Sequence, residues 1–181
     1  MSDWKRDKKW SDAFLPEIKK ILGLYLIGEP PIEEDQQRNT DLMVLNMSAV
    51  RVGCRIRKHS YLASYADEFT IRAGRPSGTK TELTKIIEGW GDFFFYGFCD
   101  EEESALAAWM LGDLNVFRLF LARSFRRGEE PWVNKKNLDG SSSFMAFKIS
   151  SLPEEFVVAQ KLFSATDNLD MDEFLLERIA V

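Results

Sequence analysis

An α+β fold, with one mixed central β-sheet flanked by helices, is what this 181-residue sequence predicts. Three observations predict it. The run "WSDAFLPEIKKILGLYLI" (10–27) spaces its apolar residues as a helix does. Three strand-like runs follow, at 40–47, 51–58 and 68–74. A capped helical stretch then leads into "DFFFYGFC" (92–99), apolar on both faces as a central strand is.

Each element has its own justification. In 10–27, Ser11 or Asp12 offers a cap, and Phe14, Ile18, Ile21, Leu22 and Tyr25 form an apolar stripe. "GEPPIEEDQQRN" (28–39) is a polar connector containing two prolines. "TDLMVLNM" (40–47) reads as a buried strand with Asp41 near its start. "RVGCRIRK" (51–58) alternates Arg51, Gly53, Arg55 and Arg57 against Val52, Cys54 and Ile56. "EFTIRAG" (68–74) sets Glu68, Thr70 and Arg72 against Phe69, Ile71 and Ala73. These three runs, joined by short connections, are expected to pair as a meander. Thr79 with Glu82 fits a capping box opening a helix through Glu88, stopped by Gly89 and Gly91. The next strand is reached through that helix, so it can lie parallel.

Beyond residue 100, "ALAAWMLGDL" (105–114) fits strand or helix, and "NVFRLFLARSF" (115–125) is helical. "RRGEEPWVNKKNLDGSSS" reads as a long polar loop and "FMAFKISSLP" (144–153) as a strand. "MDEFLLERIAV", near the C-terminus, is amphipathic and is expected to pack on its own domain. One domain spans 1–181, with a core at 10–125 and a C-terminal strand and helices at 144–181.

Composition narrows the function classes. Hydrophobic residues make up 45% of the chain, enough for an ordinary core, and 14 Phe and five Trp make that core aromatic. A net charge of -5 argues against a protein that coats nucleic acid indiscriminately, although a local basic patch can still bind it. Cys54 and Cys99 read as buried free thiols, which fits a cytoplasmic location. No apolar run approaches the ~20 residues of a membrane span. With one His and two Cys, no zinc site of familiar spacing is present. His59 stands alone, without a partner for a triad or a metal. No GxxxxGK[ST] or GxGxxG occurs, so P-loop and Rossmann readings lose their main support. "WKRDKKW", near the N-terminus, combines basic and aromatic residues as nucleic-acid binders do, but at seven residues a solvated terminus is the preferred reading.

The chemistry concentrates on the polar strand faces. Asp41 and Glu68 are the carboxylates that could hold a magnesium ion if their strands adjoin. Arg55, Arg57 and Arg72 could clamp phosphate oxygens with the guanidinium fork. Thr79–Lys80 would present a helix N-terminus to a phosphate, with Lys85 on the same helix. Each has a plainer alternative. Asp41 can start a strand, Glu68 can pair with a cross-strand arginine, and Lys80 and Lys85 can be solvated.

The order helix, three strands, helix, strand over residues 10 to 100 resembles that of the PD-(D/E)XK, or restriction-endonuclease-like, nucleases, here of a divergent phage or prophage type. The resemblance implies a magnesium-dependent DNA endonuclease. Asp41 matches the family aspartate and Glu17 the optional helix acid. At the Glu-x-Lys position the sequence has Arg55-Ile56-Arg57, so Glu68 is the nearest acid and Lys80 or Lys85 the replacement lysine. The implied site is then Asp41, Glu68 and Lys80 for catalysis, Asp41 and Glu68 for Mg²⁺, and Arg55, Arg57, Arg72 and Lys85 for the substrate. The missing motif favours the alternative, an inactive nuclease-fold scaffold that binds DNA or a protein partner, such as a modulator of a host factor.

Overall fold

The computed structural model describes residues 3–28, 43–44, 50–137 and 139–162. In chain order these residues form α1 (Asp3–Asp12), α2 (Leu15–Leu26), β1 (Ile27–Gly28), β2 (Met43–Val44), β3 (Val52–Arg57), α3 (Leu62–Tyr65), β4 (Glu68–Gly74), α4 (Glu82–Ile87), β5 (Phe93–Cys99), β6 (Leu106–Asp113), α5 (Leu114–Arg127), β7 (Val133–Lys136), β8 (Ser143–Lys148) and β9 (Val157–Lys161). The fold is a mixed α+β arrangement, but its strands divide among separate sheets. A four-stranded sheet has the order β3-β5-β6-β9 and a three-stranded sheet the order β4-β8-β7, while β1 and β2 pair by themselves.

The expected meander is therefore corrected. β2 pairs with β1, β3 pairs with β5, and β4 pairs with β8, so these three consecutive strands lie in three different sheets. Apolar alternation marks a strand but does not choose its partner. The expectation for β5 fares better: it runs parallel to β3, antiparallel to β6, and lies between them.

Residues 10–27 do not form one helix. The chain turns at Ala13 and Phe14, and α2 starts at Leu15 with Pro16 in its first turn. Proline is tolerated there because a first-turn N–H has no helical partner, whereas inside a continuous helix it would remove a bond. The ambiguous stretch at 105–114 is strand β6. The helix after it, α5, begins on Asp113, whose carboxylate accepts from Asn115 N at 2.6 Å, and ends at Gly128 with φ of 67°.

The four-stranded sheet is covered on both faces, which explains why β5 is apolar throughout. On one face Phe95, Trp109, Leu111 and Ala159 pack with Ile56 against Phe14, Ile18 and Ile21 from the α1–α2 corner. On the other, Phe94, Tyr96, Ala108 and Met110 meet β4, β8 and α5. Phe69 is the centre of that second cluster. Its ring lies 5.4 Å from both Phe147 and Phe156, 5.7 Å from Phe117 and 6.1 Å from Phe94. Gly112 is required nearby, because a Cβ there would overlap the Phe156 ring. Cys99 is buried as expected, whereas Cys54 is exposed on the edge strand β3; both are free thiols. Among the described residues, no helix is long and apolar enough to cross a membrane.

Replacing Phe69 with Ala should lower stability by about 3–5 kcal/mol, the usual cost of emptying a buried aromatic site. Urea denaturation measures it, and a loss below about 1 kcal/mol would show that the cluster does not depend on this ring.

Candidate functional site

A cleft opens between the two larger sheets, with a volume of about 500 Å³. Its position follows from the alternation in β4. Phe69 and Ile71 are completely buried in the aromatic core, so Glu68, Thr70 and Arg72 must project to the opposite side. Glu68 and Thr70 line the cleft, and Thr70 Oγ1 lies 3.4 Å from the Tyr96 hydroxyl. β5 contributes Tyr96 and Phe98, the end of β3 contributes Arg57, and β8 contributes Phe144. Lys135, Lys136, Asn137 and Asp139 come from β7 and the turn after it.

Two tyrosines complete the mouth. Tyr61 and Tyr65 are four residues apart on the short helical segment after β3, which places them on one side. Their ring centroids are 6.2 Å apart. Each ring carries a cation: the Arg57 guanidinium lies 4.4 Å from the Tyr61 centroid, and Lys135 Nζ lies 4.4 Å from that of Tyr65. Such contacts contribute ~0.5–1 kcal/mol when exposed, so they orient the cations more than they stabilise the fold. Lys135 also forms an ion pair with Glu68, half-buried at the cleft wall. Among the described residues no carboxylate pairs with Arg57 or Lys136. Asp139 accepts from Ser141 N at 2.9 Å, and this hydrogen bond holds its carboxyl below the usual range. The cleft thus sets three cations against two carboxylates, beside exposed aromatic faces.

The predicted site residues separate into groups. Glu68 and Arg57 line the cleft. Arg55 and Arg72 lie beyond Phe144, with guanidinium carbons 5.7 and 5.5 Å from its ring centroid. Arg55 ties three elements together: it donates to Thr70 O of β4 at 2.9 Å and to Glu82 of α4 at 2.6 Å. Glu82 also accepts from Arg72 N at 3.0 Å. Glu82 is therefore not part of a capping box. The helix cap is Thr81, which accepts from Thr84 N, so the expected start at Thr79 shifts by two residues. Lys80 is exposed and pairs with Glu88 at 2.7 Å, and Lys85 is exposed on α4; neither lines the cleft. Glu17 accepts from Leu106 N at 3.0 Å, a tie between α2 and β6. Asp41 lies outside the described residues.

Reading 126–143 as a loop concealed Lys135 and Lys136. The stretch contains β7, paired antiparallel with β8. Its signal was the "LDG" turn between "VNKK" and "SFMAFK", an Asp-Gly step between two strand-like runs. Tyr61, Tyr65 and Tyr96 carried no comparable signal, because their role depends on what packs opposite them. Magnesium generally takes one or two protein carboxylates plus water. The cleft offers Glu68 and Asp139, each already engaged, and among the described residues no three His, Cys, Asp or Glu side chains come together.

No protein-family model, curated protein or solved structure matches this chain.

Glu82→Gln should cost about 1–3 kcal/mol, because it leaves the half-buried Arg55 without its counter-charge. Thermal unfolding checks it: an unchanged midpoint would show that the Arg55–Glu82 pair contributes nothing net.

Proposed function

We propose that the cleft binds single-stranded nucleic acid, holding a base against Tyr61 or Tyr65 and the adjoining phosphates with Arg57, Lys135 and Lys136. The observation that carries this reading is the pairing of each tyrosine face with a cation at the mouth of one cleft. Aromatic faces stack on any base, and cations beside them track the backbone. The volume falls within the ~300–1,000 Å³ of small-ligand sites, so the cleft takes about one nucleotide rather than a duplex. The overall charge of -5 confines such binding to this local patch.

One further contact favours a second reading, the divergent PD-(D/E)XK nuclease. Glu68 faces the cleft with a lysine on it, and that lysine is Lys135 from β7 rather than Lys80 or Lys85. On this reading Asp41 and Glu68 would hold magnesium, which when bound would neutralise developing charge on a phosphodiester. Lys135 would stand where the family motif has its lysine. The described residues alone do not assemble that metal site, so this reading depends on Asp41.

Fluorescence anisotropy with short labelled oligonucleotides tests the first reading. Single-stranded DNA or RNA should bind with an affinity that falls as salt rises. Arg57→Ala and Lys136→Ala should each weaken binding by roughly fivefold to tenfold, and Tyr65→Ala by about tenfold. No binding at low salt would overturn it. Cleavage in Mn²⁺ that is lost in both Asp41→Ala and Glu68→Ala, with folding intact, would instead establish the nuclease.

A further inference from the structure

Beyond Phe144 lies a second concentration of positive charge, outside the cleft. Arg55 and Arg72 both approach the Phe144 ring, and Arg75 follows three residues on, just past the end of β4. Glu82 is the carboxylate that serves this group. One of its oxygens takes both the Arg55 guanidinium and the backbone N–H of Arg72. Nothing comparable serves the Arg72 side chain. Its Nε is buried and has no hydrogen-bond partner, and among the described residues it is the one buried side-chain nitrogen or oxygen in that condition.

That exception is informative. A buried donor left unpaired is costly, and native structures seldom leave one without a water, an ion or a functional reason. The donor here belongs to a guanidinium, which stays charged and whose fork matches an oxyanion. Burial, together with the like charges of Arg75 and Arg55, pushes the Arg72 pKa down, so an arriving anion would relieve both penalties. Lysine would not serve equally well, because only the guanidinium has an N–H at the ε position.

We infer that Arg72, with Arg55 and Arg75 beside it, is a binding site for a phosphate-type oxyanion, separated from the tyrosine-lined cleft by the Phe144 ring. The anion accepts from the Arg72 guanidinium, which Glu82 leaves free because it meets Arg72 only at the backbone N–H. The site stands on the unpartnered donor and does not rest on the cleft reading. Inorganic phosphate and a phosphate of a nucleic-acid strand share the chemistry it recognises.

The test is thermal unfolding of the full chain in sodium phosphate against sodium chloride of equal ionic strength. Saturating phosphate should raise the midpoint of the wild type by roughly 3 °C. Arg72→Gln should abolish the increment. In chloride it should stay near the wild-type midpoint, since Arg72 Nε makes no hydrogen bond that the substitution would break. Arg72→Lys keeps the charge without Nε–H, guards against misfolding of the glutamine variant, and should also lose most of the increment. If phosphate alone has no effect, but Arg72→Gln weakens oligonucleotide binding about tenfold while Arg72→Lys recovers little of it, the site takes a strand phosphate. The inference is overturned if neither phosphate nor an oligonucleotide responds to these substitutions, or if Arg72→Gln lowers the midpoint equally in both salts. A cleft that fails to bind nucleic acid leaves the phosphate result intact, so the two readings fail separately.

Discussion

The packing of Phe69 against aromatic rings from β5, α5, β8 and the turn before β9 holds the two larger sheets together. This ring decides more than stability. Because Phe69 and Ile71 must face the core, the register of β4 has only one solution, and a slip of one residue would bury Glu68 and Arg72. The polar face of β4 is thereby aimed into the gap beside β5. Four fully buried phenylalanines of this cluster, Phe69, Phe117, Phe147 and Phe156, supply much of the apolar area that makes this register worth keeping. The cleft is the space left where β4 and β8 lean on the four-stranded sheet without covering it.

Electrostatics then sorts the charged residues by role. Arg55 joins β3, β4 and α4 through Thr70 and Glu82, and its half-buried position makes it a structural element. Lys80 neutralises Glu88 at the surface, where an ion pair contributes little. Among the described residues around this region, Arg57 and Lys136 at the cleft have no carboxylate partner, and Arg72 Nε behind Phe144 has no hydrogen-bond partner. In a chain carrying a net -5, these cations make a local positive patch beside Phe144. Phe144 touches both places, lining the cleft while Arg55 and Arg72 approach its ring. A ligand that occupied the two sites together would have to pass that ring.

Much of the local structure was legible from residue spacing. The strands at 52–57, 68–74 and 93–99 and the helix at 114–127 follow from alternation, apolar runs and helical periodicity. The identity of each strand's partner was not legible. β3 and β4 are neighbours in sequence and read alike, yet one joins β5 and the other β8. Backbone hydrogen bonds do not depend on side-chain identity, so the choice of partner is made by which side chains fill the space between sheets.

The sequence by itself determined the aromatic, α+β character of the protein and the polar face of β4 bearing Glu68, Thr70 and Arg72. It did so because side-chain period is a local property of the backbone. Only the tertiary structure decided which charges are spent on one another and which face a cleft. Arg55 and Arg57 lie two residues apart on one strand, and nothing in that spacing separates them. Glu82 reaches one and not the other, and Tyr61 receives the one that is left. Lys135 became Glu68's partner in the same way, from 67 residues further along the chain. A charge acquires its role from what packs within a few ångströms of it, and that proximity exists only once the chain has folded.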